Sequence, residues 1–273
     1  MSKEKILITV KTYPTISQKY GETVCTAGLR EDGSWVRIYP VPFRKLDEAE
    51  QYKKFDYIEC NLVKNEKDYR PESFKPVVGT TFKCVGHLDT RNNWRERRNL
   101  ILRRATVFTK LSELIKESQN PQKGTSLAVF KPKKIINFSF IKNDEQHDPE
   151  KIKSILTKSK QTDLFIDESW KDWFQILPPM SYKFSYKFED VEGKSSTMRI
   201  LDWEIGALLN NLRKKYDDEV CLQKNKEKYF DEFLNTDIHF FLGTTLQFQK
   251  RAPNPFMIIG VFPIPRETQL TLF

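Results

Sequence analysis

The chain has 273 residues, 38% hydrophobic and 30% charged, which allows one large domain or two ordinary ones and excludes collagen-like or wholly disordered classes. Lys plus Arg number 46 against 37 acids, a net charge of +9, and an excess of this sign points to a polyanionic partner, nucleic acid ahead of a membrane surface. No apolar run reaches the roughly 18 to 20 residues of a spanning helix, so no membrane partner is expected and the reading is cytoplasmic.

Taken in order, the first half reads as strands divided by turns. ILITVKTY (6–13) and TVCTAGLR (23–30) come first. Asp32-Gly33 then predicts a hairpin into WVRIYPVPF (35–43), because glycine accepts the positive φ of tight turns. YIECNLVK (57–64) and VVGTTFKCVGHL (77–88) add two more strands. In TRNNWRERRNLILRR, a helix would align Trp94, Arg97, Arg98 and Ile101 along one side. Phe108, Leu111, Leu114 and Ile115 have helical spacing too, until Asn120-Pro121 ends the run.

The second half opens with SLAVFKP and KIINFSFIK (126–142). SYKFSYKFED (181–190) alternates in strand fashion and predicts a hairpin with STMRIL (196–201) across VEGK. Asp202 caps a helix whose apolar face is Ile205, Leu208, Leu209, Leu212 and Tyr216. A Lys- and Glu-rich helix covers 219–234, and strands return at 238–248 and 255–264. Strand-rich halves with helices between strands give a mixed-β, α+β class: two small OB-like barrels rather than a doubly wound sheet. The expected division is 1–120, 121–265 and an exposed tail at 266–273.

Two groups of residues fit nucleic-acid chemistry. Period-two geometry puts Trp35, Arg37 and Tyr39 on one face of a strand, where rings can stack on bases and a guanidinium can neutralise phosphate; Arg44 continues that composition. Alternatively, Trp35 and Tyr39 are core. The second group is Arg91, Arg95, Arg97, Arg98, Arg103 and Arg104, interrupted by only one acid, Glu96. Lys131, Lys133 and Lys134 would extend the same track.

Catalytic signatures are sparse. Cys25, Cys60, Cys84 and Cys221 are scattered, as are His87, His147 and His239, so neither a structural metal nor a cofactor is expected. Gly193-Lys194-Ser195 lacks the upstream glycine of a phosphate loop. Glu189, Asp190 and Glu192, or Asp202 with Glu204, could hold a metal, and they support an alternative reading as a metal-dependent nuclease or base-modifying enzyme. A second alternative is an interaction module within a defence or repair complex. Binding is favoured over catalysis.

The last five residues, Gln269-Leu270-Thr271-Leu272-Phe273, resemble the peptide with which bacterial polymerases and repair proteins dock onto the DNA sliding clamp. In that reading Leu270, Leu272 and Phe273 enter apolar clefts while the Gln269 amide bonds a polar subsite, so the resemblance implies a sliding-clamp partner. Over most of the chain, KTYPTISQKYGETVCTAGLREDGSWVRIYPVPFR, the stretch Arg199-Ile200-Leu201-Asp202-Trp203-Glu204, and HFFLGT followed by PFMIIGVFPIP resemble the prokaryotic dual-OB domain family. That resemblance implies two OB-like barrels and a role in DNA processing or defence, and it brings no catalytic residues.

Overall fold

The computed structural model describes residues 2–17, 21–145, 149–150, 152–153, 157 and 177–266. Seven strands come first: β1 (Ser2–Lys11), β2 (Thr15–Ser17), β3 (Gly21–Leu29), β4 (Trp35–Val41), β5 (Asp56–Lys64), β6 (Ser73–Pro76) and β7 (Lys83–His87). Five of them close a barrel in the order β1–β3–β4–β6–β5 and back to β1. β4 and β6 run parallel, and the other pairs are antiparallel. β2 and β7 extend the ring from β3 and β5. The β3–β4 hairpin turns at Gly33, whose φ is +84° and where a Cβ would lie 2.5 Å from the Arg104 carbonyl oxygen. The strand expected over 77–88 is confined to β7, because residues 77–80 form a turn with the Thr80 amide donating to the Val77 carbonyl at 3.0 Å.

Helix α1 (Arg91–Arg104) leads to β8 (Val107–Phe108) and α2 (Leu111–Gln119). Residues 107–119 were expected in the first domain, yet β8 pairs with a second-half strand and Leu111 and Leu114 are buried in the second-half core. That half comprises β9 (Leu127–Phe130), β10 (Lys134–Lys142), β11 (Tyr182–Glu189), β12 (Ser195–Arg199), α3 (Trp203–Leu212), α4 (Asp218–Lys226), β13 (Thr236–Thr244) and β14 (Phe256–Pro265). Asp202 caps α3 as expected, its carboxylate accepting from the Glu204 amide at 3.2 Å. Two sheets, β10–β11–β12 and β14–β13–β9–β8, stand where a second barrel was expected. A parallel bridge from Ile200 to Ile258 joins them, and the chain itself passes from β9 to β10 through residues 131–133, where the Lys133 amide extends the β10–β11 ladder by donating to the Glu189 carbonyl at 2.8 Å. The class is mixed α+β with one closed five-stranded barrel.

The apolar run of β1 is continuous because both of its faces are buried. Ile6 and Ile8 point into the barrel with Val24, Val36 and Ile58, whereas Leu7 and Val10 pack with Val129, Phe241 and Phe262 of the second half. A register shift between Ile8 and Val10 turns two residues of equal parity to opposite faces. Each such side chain contributes about 1.5–3 kcal/mol of burial energy, so this shared layer fastens the halves together. The second-half core is aromatic, with Tyr186 and Phe188 each 5.4 Å from the Phe240 ring. No described helix is long and apolar enough to cross a membrane.

Candidate nucleic-acid interface

The face of β4 carries the expected residues but turns inward. Trp35 is half-buried and packs edge-on against Phe241 at 6.1 Å. Arg37 is only 2% exposed, so phosphate cannot reach it; its guanidinium donates to the Ser126 hydroxyl and carbonyl instead. Tyr39, at the far end of the face, is exposed, and Arg44 pairs with Glu22 at 2.7 Å. The surface opposite Trp35 and Arg37 is the second half of the chain.

The arginine cluster divides along α1. Asn92, Asn93 and Trp94 form a left-handed turn with φ of 51°, 52° and 61°, and the right-handed helix follows. That conformation costs roughly 1–2 kcal/mol per residue, a cost that asparagine bears better than most residues carrying a side chain. Packing offsets it for Trp94, whose ring meets Phe55 at 6.3 Å and Phe262 at 6.0 Å. Arg97 is buried, donates to the Leu88 carbonyl at 2.7 Å and lies 3.9 Å over the Phe55 ring. A guanidinium only donates, so at the 3.2 Å contact of Arg97 with His87 the imidazole Nε2 accepts. The other ring nitrogen of His87, Nδ1, faces Asp56 at 2.6 Å. Arg95, Arg103 and Arg104 are exposed, and Arg91 pairs with Asp89.

Beside this helix lies a cleft of about 720 Å³. Phe55, Trp94 and Trp203 supply rings; Lys11, Lys53, Lys54, Arg97 and Lys228 supply positive charge against Glu204 and Glu232. A groove of about 670 Å³ continues from it through Thr236, lined by Arg98, Lys131, Lys133, Lys134 and Arg266, with Asp237 its acid. Arg98 and the 131–134 lysines thus share one surface, as the sequence suggested. Asp237 pairs with Lys131 at 2.8 Å and approaches Arg98 at 3.8 Å. β14 ends at this junction: Pro263 and Pro265 line the cleft and Arg266 the groove.

Sequence reasoning did not find the floor of the cleft. The Lys54 ammonium is buried, 3.0 Å from Asp202 and 2.7 Å from Glu204. Burial alone would lower its pKa, but the two carboxylates raise it above the ordinary lysine range. Asp202 also accepts from the Val261 amide at 3.0 Å. Burial pushes its carboxyl up, and the Lys54 ammonium opposes that shift. Lys11 lies 4.0 Å over Phe43 and 4.9 Å over Trp203, and burial brings its pKa down to about 8. A lone lysine in an apolar strand was the available signal.

Of the acids proposed as metal ligands, Asp190, Asp202 and Glu204 are engaged elsewhere. Asp202 and Glu204 share Lys54, while Asp190 accepts from the Leu111, Glu192 and Lys194 amides. No group of three or more His, Cys, Asp or Glu side chains suited to a metal occurs among the described residues. Gln269, Leu270, Leu272 and Phe273 lie outside the described residues.

Comparison with known proteins adds the following. No curated protein matches the sequence. A solved structure described as a murine DNA-binding protein bound with double-stranded DNA matches over 98% of this chain and 99% of that chain, at 10% identity and a TM-score of 0.33. Residues 2–103 match the model of the domain of unknown function DUF8758. Residues 107–273, more than half of the chain, match that of the domain of unknown function DUF8757, and the chain belongs to that family.

Proposed function

We propose that this protein is a nucleic-acid-binding factor of prokaryotic DNA metabolism or defence, gripping a single strand along the cleft and groove. The observation that carries the reading is the continuity of the two through Thr236, which gives one track of lysines and arginines with Trp94 and Trp203 beside it. Cations along a groove with rings for stacking are what sequence-tolerant single-strand binding uses. The same reading takes the chain as two OB-like barrels. In its support, the second-half strands run β9/β10–β11–β12–β14–β13 and return to β9 when β9 and β10 are taken as one bent strand and the Ile200–Ile258 bridge is followed, the order of the first ring. Recruitment to DNA through the clamp-like tail is the remaining element, resting on the sequence of residues 269–273.

The test is an electrophoretic shift series with single- and double-stranded DNA and RNA at about 50 and 200 mM salt. Single strands should bind best, with affinity falling steeply as salt rises. No shift with any of the four at the lower salt would end the proposal.

A further inference from the structure

The cleft has one end on the groove and one end that is walled. It follows β14 inward from Pro265, next to Arg266 of the groove, through Pro263 to Val261, a run of about 13 Å at the rise of a β-strand. There the halves of the chain are tied across it. The Asp202 carboxylate accepts from the Val261 amide at 3.0 Å, Thr12 and Asp202 form an antiparallel bridge, and the Tyr13 amide donates to the Leu201 carbonyl at 2.9 Å. Trp203 completes the wall, packed at 6.0 Å against Phe43 and at 6.3 Å against Tyr13. Lys11 and Trp203 line the cleft, whereas Thr12 and Leu201 line a separate cavity on the far side of the bridge. Paired backbone therefore stands across the path of a nucleic-acid strand that enters along the floor. The volume of about 720 Å³ also suits one small ligand, for which sites run to roughly 300–1,000 Å³, better than a channel for a long strand.

Rings and charge divide between the two parts. Trp94, Trp203 and Phe233, all half-buried, line the cleft, and no aromatic residue lines the groove among the described residues. In the groove five cations face one carboxylate, that of Asp237. In the cleft five cations face Glu204 and Glu232, with Asp202 and Asp56 bonded directly behind to Lys54 and His87, so the balance there is nearly even. Lys54 is held by two carboxylates, and Lys228 pairs with Glu232 at 2.6 Å. The groove thus suits backbone phosphates and the cleft suits bases. A phosphate monoester at the walled end would bring a charge of about −1.5 to −2 into a set of charges already close to balance.

We infer that this site takes hold of a single strand by its end. The terminal base stacks in the cleft, the phosphates behind it lie in the groove, and the terminus carries a hydroxyl rather than a phosphate. The inference rests on the nucleic-acid reading above and adds that a strand without an end cannot use the cleft.

Fluorescence anisotropy of the whole chain with one labelled single-stranded DNA sequence, linear and circular, tests it at about 50 mM salt. The linear form with hydroxyls at both ends should bind about tenfold more tightly than the circle, the worth of one stacked base. A phosphate added at one terminus should remove most of that preference, and a phosphate at the other should not; the sensitive terminus is the one held. Phe233→Ala, which takes a ring from the cleft, should bring the linear strand towards the circle and leave the circle unchanged. If Phe233→Ala does not fold, the wild-type comparison decides alone. Lys133→Glu with Lys134→Glu should weaken linear and circular strands by the same factor, because both forms use the groove. Equal binding of linear and circular strands, or a preference that survives a phosphate at either terminus, would overturn the inference and leave the groove reading standing. Failure of both forms to bind would overturn that reading and this inference with it.

Discussion

The Arg37 guanidinium donates to the Ser126 hydroxyl at 2.6 Å, joining residues 89 positions apart in different halves of the chain. The contact belongs to a buried network. Arg70 reaches the Thr244 carbonyl at 2.6 Å, Asp68 holds Arg70 at 2.5 Å, and Glu72 accepts from the Ser126 amide at 2.9 Å.

Arg37→Leu should therefore act on stability. It removes the two buried charge-assisted hydrogen bonds to the Ser126 hydroxyl and carbonyl and takes a positive neighbour from Glu72 and Asp68, a loss of about 3–5 kcal/mol and a Tm lower by about 10 °C. Oligonucleotide affinity measured below that Tm should be unchanged. Weakened binding at an unaltered Tm would return Arg37 to the interface.

Trp35 and Tyr39 should now separate. Trp35→Ala removes the edge-on contact with Phe241 and should cost about 3 kcal/mol of stability. Tyr39 is exposed and lines neither cleft nor groove, so Tyr39→Ala should alter neither melting nor affinity. A loss of about 1–3 kcal/mol in single-strand binding would extend the track across β4.

The groove makes an electrostatic prediction. Lys133→Glu with Lys134→Glu should weaken binding to all sequences about equally, and each lost phosphate contact should reduce the salt slope by about 0.7–0.9. Because both side chains are exposed, the Tm should hold. An unchanged slope would remove this stretch from the track.

Acid should destabilise the protein partly through His239, which is 2% exposed and whose pKa burial lowers. The unfolded imidazole takes a proton near its ordinary value of about 6.5 while the folded one resists it. The stabilisation is thus complete above that value and is lost as pH falls below it. Urea unfolding at about pH 7.5 and 5.5 should show a smaller loss for His239→Gln than for the wild-type chain. Equal losses would place the acid sensitivity elsewhere.

An isolated peptide of residues 269–273 should bind a bacterial sliding clamp in the micromolar range, since five ordered residues bury little area and lose chain entropy. Leu272 and Phe273 should carry most of the energy, at about 1.5–3 kcal/mol each. Deleting the five residues should abolish clamp binding and leave oligonucleotide affinity intact. Absence of any heat with the intact chain would end that part of the proposal.

Local chemistry was legible in the sequence, and long-range apposition was not. The Asp32-Gly33 turn, the Asp202 cap and the period-two pairing of Trp35 with Arg37 all depend on neighbours within a few residues. Whether that face met water or protein depended on Ser126, Thr244 and Phe241, which no local pattern reveals. Asp202 and Glu204 were visible as a helix start, but Lys54, their partner, stands in a loop 148 residues earlier than Asp202. The arginine run was half informative for a similar reason. Arg98 reaches the groove because the left-handed turn at Asn92–Trp94 sets the phase of the helix, and the buried arginine of the run, Arg97, took the aromatic packing that a solvated helix would have left open.

The end of β14 at the lip of the groove has a kinetic and energetic consequence. Gln269 stands three residues past Arg266 in the sequence, and three residues of chain span at most about 10 Å. A partner that captures residues 269–273 holds the groove beside whatever strand that partner encircles. The second encounter then becomes intramolecular, at an effective concentration of millimolar order. Two individually weak grips multiply under that arrangement, so occupancy on DNA would follow tether length more closely than either affinity. Lengthening the 266–269 connection with glycine and serine should erode it without touching a single contact.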